Sequence, residues 1–398
     1  MTRASSVCIR VLTVFGTRPE AIKLAPVIAE LRRHPEDVDC RLCVTAQHRE
    51  MLDQVLRVFD LRPDYDLNIM VPGQTLAEVT CLVLRGIEQV LCATRPNLVL
   101  VQGDTSTVFA TSLAAYYHHT PVGHVEAGLR TGDKHRPFPE EMNRRLTSAL
   151  ADLHFAPTET ARRNLLREGV RDGQIVVTGN TVIDALLDVT ARPFQFTEPP
   201  LTSLGGRVVL ITAHRRESFG EPLRSICRAI VRLAARFSEI SFVYPVHLNP
   251  RVQSVAGELL SGIHNVLLTK PLDYLPFAHL LKRAELILTD SGGIQEEAPA
   301  LGKPVLVLRE VTERQEAIEA GGARLVGTDE EKIVSETTRL LCDRDAYQRM
   351  ASAPNPFGDG RAAERIVNFI LSHANGLGAS KALHCRAIDD HLCSGCLP

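Results

Sequence analysis

Three acidic residues in the first half of the chain are candidates for proton transfer. Asp104 follows the apolar run Leu98–Gln102, Glu126 lies between glycines in the apolar segment 123–128, and Glu140 opens a helical pattern. Carboxylates that share a poorly solvated place have their pKa values pushed apart, as general acid and base work requires. An acid in a first helical turn is also explained by the helix dipole alone, so a second interpretation of Glu140 stays open.

The second half of the chain concentrates positive charge and small residues at two predicted strand ends. His214 and Arg215 follow the apolar run 208–212, and Ser291–Gly293 follows another buried run where a helical pattern begins. The small residues leave backbone N–H groups open at the positive end of a helix, which predicts a diphosphate site. Glu297, one turn into that helix, is placed to accept hydrogen bonds from ribose hydroxyls. A solvated basic turn and a tight glycine turn are the alternatives.

The first predicted strand, Val11–Phe15, is followed by a third candidate for anion binding. Gly16 lets the backbone approach a ligand closely, and Arg18 stands where a guanidinium and a helix N-terminus can share a phosphate. A surface arginine at a helix start is the alternative. Pro19 suits the first helical position, whereas Pro26 predicts that the helix is kinked or restarted there.

Several common cofactor and metal motifs are missing. No G-x-G-x-x-G follows a predicted strand and no P-loop pattern occurs, so no cofactor is expected. His118, His119 and His124 lack acidic or cysteine partners at ligand spacing, so no metal is expected. One Cys-x-x-Cys pair at 393–396 is a weak zinc pattern, and a disordered end is the alternative.

The composition is that of a globular protein. The chain has 398 residues, of which 44% are hydrophobic, and a formal net charge of −2. This near-neutral charge argues against nucleic-acid binding, and no apolar run approaches the ~18 residues of a membrane helix. The first ten residues lack the apolar core of a secretory signal, so we expect a cytoplasmic protein with no membrane partner.

Short apolar runs alternate with amphipathic helical patterns along most of the chain. This alternation predicts an α/β fold of two doubly wound, Rossmann-like domains whose parallel sheets are covered on both faces. We place the domains at residues 1–180 and 181–360, with a last helix at about 361–373 and a tail, expected to be disordered, at 374–398. Open parallel sheets bind ligands at the carboxyl ends of their strands, so we expect the site in a cleft between the domains.

A set of segments between residue 11 and about 372 carries a family resemblance. They read VFGTRPEAIKLAP, VTAQHREMLDQ, GHVEAGLRTGD, PFPEEMNR, GNTVIDAL, HRRESFG, YPVHLNP and LTDSGGIQEEAPALGKPV. The chain thereby resembles the non-hydrolysing UDP-N-acetylglucosamine 2-epimerases. The resemblance implies a glycosyltransferase-B fold, with the last helix returning to the first domain, and a homodimer. It also implies reversible conversion of UDP-GlcNAc to UDP-ManNAc, with UDP-GlcNAc acting as an allosteric activator as well as the substrate.

The resemblance further implies roles for individual residues. The acid/base carboxylates matched in this way are Asp104, Glu126 and Glu140. The residues matched to diphosphate contacts are Arg18, His214, Ser291, Gly292 and Gly293, with His214 also counted in the catalytic group. Glu297 matches the ribose ligand, and Lys23 matches a lysine near the sugar. The residues matched to the activator site are Gln47, Arg215 and His247.

The chemistry that the family implies is elimination of UDP through 2-acetamidoglucal, followed by re-addition. Three alternatives remain open: a retaining glycosyltransferase of the same architecture, a hydrolysing epimerase that releases ManNAc and UDP, and a nucleotide-sugar sensor without turnover. Two departures from the family pattern stand out. Arg136 occupies a position where family members typically carry serine, and the tail after residue 374 has no counterpart.

Overall fold

Two parallel β-sheets organise the residues that this computed structural model describes, which are 8–46, 49–71, 73–374 and 376. The chain divides into two units. The first comprises the residues up to Ala185 and those from Gly360 onward, and the second comprises Leu186–Asp359. Each unit is a doubly wound α/β structure, which confirms the predicted fold class.

The sheet of the first unit has seven parallel strands in the order β3-β2-β1-β4-β5-β6-β7. Its strands are β1 (Ile9–Phe15), β2 (Val38–Val44), β3 (Tyr65–Asp66), β4 (Leu98–Gln102), β5 (Val122–Val125), β6 (Leu153–Ala156) and β7 (Ile175–Val177). The accompanying helices are α1 (Arg18–Leu31), α2 (Arg49–Val58), α3 (Leu76–Thr94), α4 (Ser106–Tyr117), α5 (Glu140–Leu150), α6 (Glu159–Arg167) and α7 (Thr181–Ala191). The division between the units falls within α7.

The sheet of the second unit has six parallel strands in the order β10-β9-β8-β11-β12-β13. Its strands are β8 (Arg207–Thr212), β9 (Ile240–Pro245), β10 (Val266–Thr269), β11 (Leu286–Thr289), β12 (Val305–Val307) and β13 (Ala323–Leu325). Its helices are α8 (Glu221–Arg236), α9 (Pro250–Leu260), α10 (Tyr274–Arg283), α11 (Gly292–Ala300), α12 (Gln315–Glu319), α13 (Glu330–Cys342) and α14 (Arg344–Ala351).

The last helix, α15 (Ala362–Ser372), belongs to the first unit. Asp184 accepts a 2.8 Å hydrogen bond from the backbone N–H of Ala363, and Arg365 donates to the carbonyl of Thr178 at 2.9 Å. The buried side chains of α15 pack toward α1. A segment far along the chain therefore completes the unit that begins it.

The central strands are almost continuously buried, as expected for parallel sheets covered on both faces. Of the strands that sequence patterns do not predict, β3, β7 and β13 have only two or three residues each, and β5 has four. The helix does not restart at Pro26, because α1 runs through this residue, so that alternative is wrong. Buried neighbours on both sides of Pro26, among them Ala25 and Val27, pack the helix against the sheet and outweigh the lost backbone hydrogen bond. Among the described residues, every helix is too short or too polar to cross a bilayer.

Candidate active site

In the first unit, the ends of β1, β4 and β5 lie side by side because these strands are neighbours in a parallel sheet. The chain order reverses between β1 and β4, which makes this edge the switch point where doubly wound sheets bind ligands. The segments after the three strands contain Arg18, Asp104 and Glu126. Of the three acids expected at one edge of this sheet, Asp104 and Glu126 follow neighbouring strands, and Glu140 begins α5 further along the chain.

Glu126 is held at this edge by three neighbouring side chains, those of Lys23, Gln102 and Asn180. Its φ of +65° is uncommon for a residue other than glycine. Lys23 Nζ lies 2.5 Å from Glu126 Oε1, and Asn180 donates a 2.9 Å hydrogen bond to the same oxygen. Gln102 donates to Oε2, and the side chain of Glu126 is only 7% exposed. A buried carboxylate with one counter-charge and three donors has a fixed orientation.

Asp104 stands beside Glu126 in a different electrostatic setting. Burial raises the pKa of the Asp104 carboxyl, and the charge of Glu126 adds to this, although Arg144 and Lys23 oppose it. Arg144 Nη2 lies 2.5 Å from Asp104 Oδ2, and Asn143 donates to the Asp104 carbonyl at 3.0 Å. A carboxyl whose pKa is raised beside a fixed carboxylate is suited to take up and return protons.

Glu140 and Glu141 begin α5 but differ in their surroundings. Glu141 is fully buried and accepts hydrogen bonds from the backbone N–H groups of Thr131 and Gly132 and from Arg145. Glu140 is half-buried, and its carboxylate makes no hydrogen bond or ion pair with any described residue. Glu141 therefore fastens the preceding loop, whereas the Glu140 carboxylate remains available to a ligand.

Glu20 is a buried acid that sequence analysis did not single out. It accepts hydrogen bonds from the N–H groups of Gly16 at 2.8 Å and Thr17 at 2.7 Å, and from the Thr105 hydroxyl at 2.5 Å. Burial raises its pKa despite these bonds. Glu20 thereby ties the turn that presents Arg18 to the turn that presents Asp104.

Gly16 is surrounded closely by two side chains of the first unit. A Cβ at this position would lie 2.2 Å from the Thr45 hydroxyl and 2.7 Å from the Thr107 hydroxyl. These two hydroxyls are buried and lie 3.1 Å from each other. The glycine is therefore required by packing within the first unit.

In the second unit, the ends of β8 and β11 form the corresponding switch point. His214 lies after β8, and its Nδ1 is 3.3 Å from Oδ1 of the fully buried Asp290. The ring of His247 stacks on that of His214 with centroids 5.4 Å apart and planes 7° apart. Burial lowers the pKa of His214, His247 and Arg215 lower it further, and Asp290 opposes them.

The start of α11 lies beside two guanidinium groups. A Cβ added at Gly292 would lie 3.5 Å from Arg314 Cζ and 3.6 Å from Arg215 Nη2. Arg314 donates a 2.7 Å hydrogen bond to the buried Glu296. A Cβ at Gly293 would lie 3.5 Å from Glu297 Oε1. The open N–H groups of a helix N-terminus and two arginines together suit a diphosphate.

The structure places the predicted residues in two groups, one in each unit. The first group contains Arg18, Lys23, Asp104, Glu126 and Glu140, of which Lys23 and Glu126 are in direct contact. The second group contains His214, Arg215, His247, Ser291, Gly292, Gly293 and Glu297. Gln47 and the tail at 377–398 lie outside the described residues. Arg136 is exposed in the loop before α5.

Besides Glu20, the polar residues of these two sites that were not identified from the sequence include Gln102, Arg144, Asn180, Asp290 and Arg314. For three of these residues, the sequence contains a pattern that could have identified them. Gln102 ends an apolar strand, and Asn180 and Asp290 each follow one closely, so a polar side chain there needs a partner. Arg144 and Arg314 lie amid ordinary surface charge in the sequence, and only the tertiary structure distinguishes them. Across residues 8–46, 49–71, 73–374 and 376, no three or more His, Cys, Asp or Glu side chains gather as a metal would require.

Comparison with known proteins identifies relatives over most of the chain. Residues 29–371 match the family model of UDP-N-acetylglucosamine 2-epimerase. The UDP-N-acetylglucosamine 2-epimerase of Escherichia coli O157:H7 is 56% identical over 372 residues, which cover 92% of this chain and 99% of the relative. The residues matched by the family model include Asp104, Glu126, Glu140 and the second-unit site, whereas Arg18 and Lys23 precede them.

Solved structures agree with this match. The crystal structure of UDP-GlcNAc 2-epimerase from Neisseria meningitidis bound to UDP-GlcNAc is 50% identical with a TM-score of 0.80, covering 92% of this chain and 100% of that one. A crystal structure of a related protein from Listeria monocytogenes is 48% identical with a TM-score of 0.88, covering 93% and 98%.

Proposed function

Because this chain belongs to the UDP-N-acetylglucosamine 2-epimerase family, we propose that it interconverts UDP-GlcNAc and UDP-ManNAc by inverting C2 of the sugar. The observation that carries this proposal is the Glu126 site. A buried carboxylate held by Lys23, Gln102 and Asn180 lies beside Asp104, whose pKa burial raises. Inversion needs a proton removed from one face of C2 and a proton returned to the other, so it needs at least two acid/base groups.

The proposed reaction is an elimination followed by an addition. A carboxylate takes the C2 proton, the electron pair of that C–H bond becomes the C1–C2 double bond, and the C1–O bond breaks with its electron pair leaving on UDP. The intermediate is 2-acetamidoglucal. UDP then adds back to C1 while a second group delivers a proton to the opposite face of C2. Asp104, Glu126 and Glu140 are the proposed acid/base groups.

The second unit supplies the groups proposed to hold UDP. The leaving diphosphate carries its greatest charge when it is detached from C1, so fixed positive groups lower the barrier. His214, with Ser291, Gly292 and Gly293 at the start of α11, is proposed to bind the diphosphate, together with Arg18 from the first unit. Glu297 is proposed to accept hydrogen bonds from the ribose, and Lys23 to lie near the sugar.

UDP-GlcNAc is also proposed as an activator of a homodimeric enzyme. Arg215 and His247 are the described residues proposed to contact it. Arg215 lies against the start of α11 and His247 against His214, so an activator bound there would act directly on the diphosphate site. A sigmoidal dependence of rate on UDP-GlcNAc concentration is expected, and a hyperbolic one would contradict this part of the proposal.

One NMR time course tests the reaction. The intact protein is incubated with UDP-GlcNAc in D2O without added nicotinamide cofactor. The expected result is a mixture of UDP-GlcNAc and UDP-ManNAc with deuterium at C2, because the acid/base groups exchange protons with solvent between removal and return. Long incubation should also release free UDP and 2-acetamidoglucal, since the intermediate escapes occasionally.

Other products would point to other reactions. Free ManNAc with UDP would indicate a hydrolysing epimerase, a sugar transferred to an added acceptor would indicate a glycosyltransferase, and no change would indicate a binding protein. Epimerisation with the C2 hydrogen fully retained would overturn the roles of Asp104, Glu126 and Glu140 in proton transfer.

A further inference from the structure

The imidazole of His214 has a buried carboxylate directly behind it. Asp290 is the residue after β11 and is fully buried. Its Oδ2 accepts hydrogen bonds from the backbone N–H groups of His214 at 2.7 Å and Arg215 at 2.8 Å. These two bonds fix the carboxylate in the fold. They also tie the end of β11 to the loop after β8.

The other oxygen of this carboxylate is left without a donor. Asp290 Oδ1 accepts no hydrogen bond from the part of the chain that the structure describes, and it lies 3.3 Å from Nδ1 of His214. A buried carboxylate oxygen that loses hydration without gaining a donor costs free energy. The imidazole N–H of His214 is the donor within reach, and a small ring movement brings it into hydrogen-bond geometry.

We propose that Asp290 is a positioning residue that keeps the Nδ1 of His214 protonated, so that Nε2 faces a bound diphosphate and carries a proton when the anion is present. In the neutral ring the single proton then sits on Nδ1, and Nε2 is the atom that gains a proton. The proposal rests on the proposed function in one respect, namely that a diphosphate binds beside His214.

The other charged groups around His214 in the second unit act against protonation. His247 stacks on its ring, and a backbone N–H from Asn249 donates to Nδ1 of His247 at 3.0 Å, which leaves the His247 proton on Nε2. Arg215 is the neighbouring cation. Burial lowers the pKa of His214, and both neighbours lower it further, whereas Asp290 raises it. Asp290 is thus the group in this unit that allows the imidazole to become a cation.

The variant Asp290→Asn separates the charge from the backbone anchor. An amide oxygen can still accept the two hydrogen bonds from the N–H groups of His214 and Arg215. The amide nitrogen then faces Nδ1 of His214 and donates to it, so the neutral ring must move its proton to Nε2. The loss of the carboxylate should lower the pKa of His214, because the nearby negative charge that stabilises the imidazolium is removed.

The experiment combines nitrogen NMR of histidine-labelled intact protein with UDP titrations. In the wild type we expect the neutral ring of His214 to carry its proton on Nδ1, and in Asp290→Asn on Nε2. At about pH 8 the variant should bind UDP roughly tenfold more weakly, and the difference should shrink progressively as the pH is lowered and the imidazole becomes protonated in both proteins. A purely structural role would weaken binding equally at every pH.

A matched control is available in the same unit. Asp343 accepts two backbone N–H hydrogen bonds, from Asp345 at 3.0 Å and Ala346 at 2.9 Å, with no histidine in contact among the described residues. Asp343→Asn should leave the tautomer of His214 and the affinity for UDP unchanged.

Two results would overturn the proposal. One is a wild-type His214 whose neutral ring carries its proton on Nε2, a measurement that needs no variant and stays decisive if Asp290→Asn does not fold. The other is an Asp290→Asn protein with an unchanged tautomer and pKa. Failure of the wild type to bind UDP would instead contradict the proposed function, because the tautomer of His214 is measured without a ligand.

Discussion

The two sheets share one strand order up to the additional β7, yet acidic and basic side chains exchange places in the ion pair beside each switch point. In the first unit, the ion pair of Asp104 and Arg144 has its acidic partner more exposed, with the Asp104 side chain 30% exposed and that of Arg144 only 12%. In the second unit the order is reversed, since His214 is 40% exposed and Asp290 is fully buried. The same backbone arrangement therefore presents a carboxyl group backed by an arginine in one unit and an imidazole backed by a carboxylate in the other.

The comparison indicates that the fold determines where a ligand site lies, whereas the residues that follow the strands determine the chemistry of that site. In both units the group available to a ligand is backed by a buried group of opposite charge. Such a partner costs desolvation energy, and it sets the orientation and protonation of the group in front of it. The predictions below test whether the two switch points do separate work, beginning with the largest expected effect.

The substitution Glu126→Gln should abolish most turnover while leaving UDP binding intact. A single acid/base catalyst contributes about 10²–10⁴-fold, so a loss of that size in kcat is expected. UDP affinity should stay within about twofold, because the second unit holds most of the proposed UDP contacts. Steady-state rates and UDP titrations measure both quantities.

Glu159→Gln is the matched control for Glu126→Gln. Glu159 is an exposed acid at the start of α6 in the same unit, paired with Arg162. Its substitution should leave the rate unchanged. A rate for Glu126→Gln within tenfold of the wild type would remove Glu126 from the proposed mechanism.

The first unit should lose stability in mild acid because it buries two neutral histidines. His124 and His154 face each other on β5 and β6, and burial lowers their pKa values to about 3 and about 4. In the unfolded chain a histidine takes up its proton near pH 6.5, so the stability present above that pH is lost as the pH falls. Each histidine costs about 1.4 kcal/mol per pH unit below it.

Urea unfolding of the intact protein between pH 7 and about 5.5 measures this loss. His154→Gln should flatten the slope, since one of the two titrating groups is removed. His135→Gln, at an exposed position in the loop before α5, should leave the slope unchanged. Equal stability at both pH values would show that the two buried histidines are compensated elsewhere.

Gly293→Ala should weaken UDP binding without weakening the fold. The residue is exposed in the first turn of α11, its φ is not positive, and an added Cβ would meet only Glu297 Oε1 at an ordinary 3.5 Å. Nothing in the described structure requires glycine there. A methyl group would instead obstruct a phosphate at the helix N-terminus, and losing one charge-assisted hydrogen bond costs about 1.5–3 kcal/mol, which is roughly ten- to a hundredfold in affinity.

Gly257→Ala is a control that separates an effect on fold stability from an effect on UDP binding. Gly257 lies inside α9, with open space around its added Cβ. The change should raise stability by about 0.5–1 kcal/mol and leave UDP binding unchanged. If Gly293→Ala binds UDP as tightly as Gly257→Ala does, the start of α11 is not a diphosphate site.

Sequence patterns sufficed for the fold class and for the segments that carry the site, but not for the partners that tune it. Asp104 and Glu126 stand out because an acid at the end of an apolar run needs an explanation. Arg144 contacts Asp104 from 40 residues further along the chain, and Asn180 contacts Glu126 from 54 residues further along. These contacts form only because β4, β5 and β7 end at one edge of the sheet. Such pairings depend on the tertiary structure and leave no periodic trace in the sequence.

The smallest expected effect compares two helix starts within the first unit that share one motif. In both α1 and α3 a threonine precedes the helix and a glutamate three residues later bonds back to it: Thr17 with Glu20, and Thr75 with Glu78. The surroundings differ, because Glu20 is buried and Glu78 is exposed. Burial raises the pKa of Glu20, whereas hydrogen bonds from Thr75 lower the pKa of Glu78.

The two glutamates should therefore respond to pH with opposite signs when each is replaced by glutamine. The stability contribution of Glu20 is fully present below its unfolded pKa and is lost as the pH rises through its folded pKa. Over that interval Glu20→Gln should therefore become more stable relative to the wild type. Glu78 contributes stability that is present above its unfolded pKa. Glu78→Gln should therefore have a smaller free energy of unfolding than the wild type at neutral pH and an equal one in acid. Urea unfolding from about pH 4 to 7 measures both differences. Parallel curves for the two variants would mean that the capping motif, and not the burial of the switch point, governs both acids.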